Sequence, residues 1–87
     1  MNNKQFLKQI EGTQFQSDLT NMFEYNSTPM SRGRYNLIVS KRDVGLWQIG
    51  MKPNRHWKIS DVKWYFGIKG NKAHVLEQLE DYLINLQ

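Results

Sequence analysis

Basic and aromatic side chains are interleaved between residues 31 and 72. Arg32, Arg34, Lys41, Arg42, Lys52, Arg55, Lys58, Lys63, Lys69 and Lys72 are opposed there only by Asp43 and Asp61. Ten cations against two anions give a local charge of +8 in a chain whose net charge is +4. All three tryptophans, Trp47, Trp57 and Trp64, lie in the same stretch with Tyr35, Tyr65 and Phe66. Cations neutralise phosphate and flat apolar rings stack on bases, so this combination suits a polyanion surface. Each tryptophan is equally a candidate for the core of so small a protein. The charge bias has no such explanation, because solubility does not require one sign to be confined to half of a chain. The expected phosphate contacts are Arg34, Lys41, Arg42, Lys52, Arg55, Lys69 and Lys72, with Trp57 or Trp47 as the stacking residue.

Catalytic chemistry has less to work with. His56 and His74 are the only histidines, and neither has a second ligand at metal spacing. Asp61-Val62-Lys63 with Asp43 upstream has the acid-x-lysine form of metal-dependent nucleases, in which paired acids hold Mg²⁺ and lysine stabilises developing charge. A turn accounts for Asp43 and a helix start for Asp61, and these readings are preferred. No glycine-rich phosphate loop ending in Lys-Ser or Lys-Thr occurs, and no serine-nucleophile motif. The expectation is therefore no catalytic residue, no metal site and no cofactor.

Composition bounds the remaining choices. The 87 residues predict one domain spanning 1–87. Absence of cysteine excludes disulfides, thiolate metal sites and a cysteine nucleophile. No apolar run approaches the length of a membrane span, and no hydrophobic segment follows the N-terminal Met1 to Gln5, so a cytoplasmic protein without membrane contact is expected.

The elements follow from periodicity and punctuation. Phe6, Leu7 and Ile10 mark a first helix over 3–10, stopped by Gly12. Thr13-Gln14-Phe15-Gln16 fits a capping box, opening a second helix over about 14–25 with Phe15, Leu19, Met22 and Phe23 inward. Asn26-Ser27-Thr28-Pro29 ends it, and 30–33 reads as a linker. Tyr35, Leu37 and Val39 alternate with Asn36, Ile38 and Ser40 as a strand, Lys41 to Gly45 turns, and Leu46 to Met51 returns. That predicts a hairpin with a basic tip.

Residues 59–70 admit two readings. At period two, Val62, Trp64, Phe66 and Ile68 line a third strand. As a helix, Ser60 caps, Asp61 sits in the first turn, Ile59, Val62 and Phe66 share a face, and Gly67 stops it. The helix is preferred because both ends carry helix-specific residues. Asn71 then caps a final helix, expected to be the longest, with Val75, Leu76, Leu79, Tyr82, Leu83 and Leu86 inward and Leu76, Leu79 and Leu83 among the most buried residues.

Helix 59–66, the turn Gly67-Ile68-Lys69-Gly70 and helix 71–86 together have the spacing of a DNA-binding helix-turn-helix. Two features depart from that motif. Lys63 stands where a small residue lets the helices approach, and Glu77, Glu80 and Asp81 on the second helix repel phosphate. A plain helical hairpin is the competing reading. Gly50-Met51-Lys52-Pro53-Asn54-Arg55-His56 and Gly67-Ile68-Lys69-Gly70-Asn71-Lys72-Ala73-His74 also echo one another, each a tight turn with two cations that can form an anion-binding concavity.

Ser31-Arg32-Gly33-Arg34-Tyr35, Gly50-Met51-Lys52-Pro53 and Asp61 to Gly70 resemble small uncharacterised proteins encoded by tailed phages that infect cyanobacteria. The resemblance covers about half the chain. It implies a phage origin and carries over no activity and no site.

The expected fold is α+β: two short N-terminal helices, a basic β-hairpin and a C-terminal helix pair, or else a three-stranded meander with a C-terminal helix. The expected function is that of a small basic non-enzymatic nucleic-acid-binding module, regulatory in role, using the 31–72 segment. The alternative is an effector that docks its basic face on an acidic host-protein surface. A metal-dependent nuclease is the third reading. DNA or RNA, strandedness and oligomeric state are left open by the sequence.

Overall fold

A computed structural model describes residues 2–86. Helix α1 (Asn3–Gln9) and helix α2 (Gln14–Asp18) lead into an antiparallel hairpin, β1 (Met22–Tyr25) and β2 (Thr28–Ser31). Helices α3 (Arg32–Gln48), α4 (Ile59–Phe66) and α5 (Lys72–Leu86) follow. The α+β class and the order of two short helices, hairpin and C-terminal helix pair are as expected; the position of the hairpin is not.

The segment read as a basic hairpin over 35–51 is helix α3. Ser31 caps it by accepting the Arg34 N–H at 3.0 Å. Gly33, Leu37 and Val44 then form its buried stripe, with Gly33 against the end of α2 and the helix as a whole packed most extensively on α5. Tyr35 and Val39, the other inward positions of the expected strand, flank that stripe half-buried. The β-branched residues and the Asp43-Val44-Gly45 turn signal gave way to this long helix–helix contact, since tertiary packing overrides weak local propensity.

The actual hairpin occupies what reads as the end of the second helix. Asn26 and Ser27 sit at φ of 51° and 65°, the two left-handed residues of a tight two-residue turn. The strands register Met22 with Ser31 and Tyr25 with Thr28. Pro29 is tolerated because a two-stranded sheet offers it an outer edge. Such a hairpin is marginal alone. It is held to α3 by Phe23 and Tyr25, each with a ring centroid 5.5 Å from that of Tyr35, and by Arg32 over Phe23 at 5.2 Å. Its only charged residue is Glu24, so the hairpin is not basic.

Residues 59–66 are helical, which removes the meander alternative. Lys58, not Ser60, occupies the N-cap position and makes no side-chain cap bond, while Gly67 closes the helix at φ 67° as expected. Asn71 receives the His74 N–H at 3.0 Å at the start of α5. The longest helix is α3, with 17 residues against 15 in α5. Within α5, Val75, Leu79 and Tyr82 are buried, whereas Leu76 and Leu83 are half-buried against the core. The inward face is the expected one, with Val75, Leu79 and Tyr82 at its centre and Leu76 and Leu83 at its margins.

One hydrophobic cluster draws on every helix. Phe15 is its hub, with ring centroids 4.9 Å from Phe66 and 5.7 Å from Tyr82. Tyr82 satisfies its hydroxyl by donating to the Phe66 carbonyl at 3.2 Å. Among the described residues, no helix is long and apolar enough to cross a membrane.

Candidate nucleic-acid interface

The end of α3, the 49–58 loop and the start of α5 meet, bringing Lys52, Arg55, Lys58 and Lys72 to one region. Lys72, on the first residue of α5, places its Nζ 4.4 Å from the centroid of Trp47 near the end of α3. Trp47 in turn packs against Trp57, with centroids 5.7 Å apart. Lys52 reaches the Arg55 carbonyl at 3.3 Å, and the His56 N–H donates to Asn54 Oδ1 at 2.9 Å, so the exposed loop has a defined shape. Trp57, Lys58 and Trp64 border a groove between α3 and α4. Trp64 also borders a neighbouring hollow with Lys63 and Lys69. Lys52, Arg55, Lys58, Lys63, Lys69 and Lys72 therefore form a connected run around three indoles.

Among the described residues the one ion pair is Arg42–Asp43 at 3.0 Å. The six cations of the run form no ion pair among those residues.

The expected phosphate contacts do not all converge. Lys52, Arg55, Lys69 and Lys72 belong to the run. Arg34 lies in the first turn of α3, about 20 Å along the helix from its far end at 1.5 Å per residue. Lys41 and Arg42 are mid-helix rather than at a hairpin tip; Lys41 is half-buried and Arg42 holds Asp43. Trp47 and Trp57 are half-buried, and Lys72 occupies one face of Trp47. The open ring is Trp64, 71% exposed, which the sequence reading passed over. Its position was legible once 59–66 was read as a helix. At 100° per residue, 64 stands well away from the face shared by 62 and 66.

A half-buried polar node around the buried Asp18 fixes the walls of this region. Tyr65 Oη donates to Asp18 Oδ2 at 2.7 Å and accepts from Asn36 Nδ2 at 2.9 Å, tying α4 to α2 and α3. Gln14 Nε2 donates to the other Asp18 oxygen at 3.2 Å. Burial, offset in part by the Asn36 donor and reinforced by the bond to Asp18, pushes the Tyr65 phenol up to about 12.

The parts of the nuclease reading are separated. Asp43 and Asp61 line one groove, while Lys63 lines the other hollow. No group of three or more His, Asp or Glu side chains comes together at metal-binding spacing among the described residues. In the helix-turn-helix reading α5 would be the reading helix. Its buried face is spent on α3 and the core, and its exposed positions include Glu77 and Glu80.

Compared with known proteins, the chain matches no family model, no curated sequence and no solved structure at a significant level.

Proposed function

We propose that this chain is a small non-enzymatic nucleic-acid-binding module that holds phosphates with the cations of the 49–58 loop and the α4–α5 turn. The observation that carries the reading is the connected run Lys52, Arg55, Lys58, Lys63, Lys69 and Lys72. It forms no ion pair among the described residues, and three of its members, Lys58, Lys63 and Lys69, line hollows shared with the exposed Trp64. Cations beside an open indole supply the two things a flexible polyanion needs, counter-charge and a stacking face. The acidic exposed side of α5 points to backbone and base contacts from loops rather than to a helix laid in the major groove.

The test is fluorescence anisotropy with labelled oligonucleotides across a salt series, together with a pull-down treated with nuclease. If four or five cations touch phosphate, log K falls against log salt with a slope of about −3 to −4, and the captured material is nuclease-sensitive. Absence of binding to any DNA or RNA at low salt overturns the reading, and leaves docking of the same basic face on an acidic protein as the survivor.

A further inference from the structure

The groove between α3 and α4, with a volume of about 430 Å³, is within the size range of ligand sites and differs in character from the basic run beside it. Trp57, Val62 and Trp64 give it apolar walls. Its charged lining is Asp43, Asp61 and Lys58. Asp43 is held by Arg42, whereas the Asp61 carboxylate has no hydrogen-bond or ion-pair partner among the described residues. We infer that this groove takes an unpaired guanine base of a single strand, with Asp61 accepting from its Watson–Crick edge; this rests on the nucleic-acid reading above.

Three features select that occupant. A carboxylate is an acceptor only, so the groove asks for N–H donors and turns phosphate away. Phosphate has its place next door, because Trp64 is shared with the hollow bordered by Lys63 and Lys69. Those lysines, with Lys58, also disfavour a cationic occupant. Among the bases, guanine alone presents two adjacent donor groups, N1–H and the N2 amino group, on its Watson–Crick edge, which a carboxylate accepts in bidentate fashion. That edge is free only when the base is unpaired, and the indoles supply a stacking face for it.

The experiment uses the full chain and four probes: a labelled oligothymidine of about ten nucleotides, the same oligomer with one central guanine, the same with inosine there, and a blunt duplex of equal length. Guanine should tighten binding roughly five- to a hundred-fold over thymine. Inosine, lacking the N2 amino group, should lose most of that gain, and the duplex should bind no better than oligothymidine. Asp61→Asn should abolish the guanine preference without weakening oligothymidine binding. Base-independent affinity, inosine equal to guanine, or a duplex as tight as the guanine strand overturns the guanine site while leaving the phosphate-binding reading in place. No binding to any probe overturns both. The inosine comparison uses the unaltered protein, so the result does not depend on how the variant folds.

Discussion

The Lys72 ammonium lies over the Trp47 indole, 4.4 Å from the ring centroid, and joins the start of α5 to the end of α3. This contact places a cation beside an aromatic within the protein itself, worth about 0.5–1 kcal/mol when solvent-exposed. It covers one face of Trp47, and Trp57 packs close beside the same ring. Of the three indoles, Trp64 is left open.

The tryptophans should therefore separate by readout. Trp64→Ala is expected to change stability by no more than about 0.5 kcal/mol, as for an exposed side chain, and to weaken single-strand binding by about 1–3 kcal/mol. Trp57→Ala should lower the melting temperature, because its ring packs against the core cluster. Thermal melts and anisotropy titrations on the two variants check this. A Trp64 variant that melts early and binds normally would reverse the assignment.

Charge removal should depend on position. Replacing Lys52 and Arg55 together with glutamine should flatten the salt slope by about 1–2 units and leave the melting temperature nearly unchanged, since neither forms an ion pair among the described residues. Arg34→Gln removes one positive charge at the opposite end of α3 and should leave the slope alone. The measurement is the slope of log K against log salt for each variant.

Gly33 is a packing requirement. A Cβ built there would stand 2.9 Å from the Leu19 backbone nitrogen and 3.0 Å from the Phe15 carbonyl oxygen. Both obstacles are backbone, so α2 and α3 must part to admit a methyl group. Gly33→Ala should destabilise the protein by about 1–3 kcal/mol, despite the higher helix propensity of alanine. Urea denaturation measures the shift.

The Tyr65 node predicts an alkaline limit. With the folded phenol at about 12 against an ordinary 10.0, the unfolded chain releases its proton first. The stabilisation is complete below about pH 10 and is lost as pH rises towards 12. Tyr65→Phe takes the hydroxyl donor from Asp18 Oδ2, costing about 1–3 kcal/mol at neutral pH. It should also make the loss between pH 10 and 12 shallower. Tyr82, also raised by burial, leaves a residual slope. Melting temperature against pH for the two proteins decides it.

Local signals in the sequence determined a good part of this architecture. Thr13 caps α2 by accepting the Gln16 N–H at 3.1 Å, although Gln16 answers Gly12 at 2.9 Å rather than Thr13 itself. Gly67 and Asn71 bound the turn between the last two helices because a left-handed stop and a side-chain cap need only neighbouring residues. The segregation of charge into the 31–72 segment was likewise legible, being a property of order along the chain. What tertiary structure alone decided is the state of 32–48 and the place of the hairpin. The α3 segment is only weakly amphipathic, with Tyr35, Leu37 and Val39 at alternate positions. Its helix is selected by contact with α5, more than 20 residues further along the chain, and with α2, against which Gly33 packs. The hairpin in turn depends on Tyr35 of that helix to pack Phe23 and Tyr25. With α3 helical, Arg34 is carried away from Lys52 and Lys72, and the open indole becomes Trp64. Neither outcome is written in the spacing of charged and aromatic residues, because each depends on which faces of distant segments are covered.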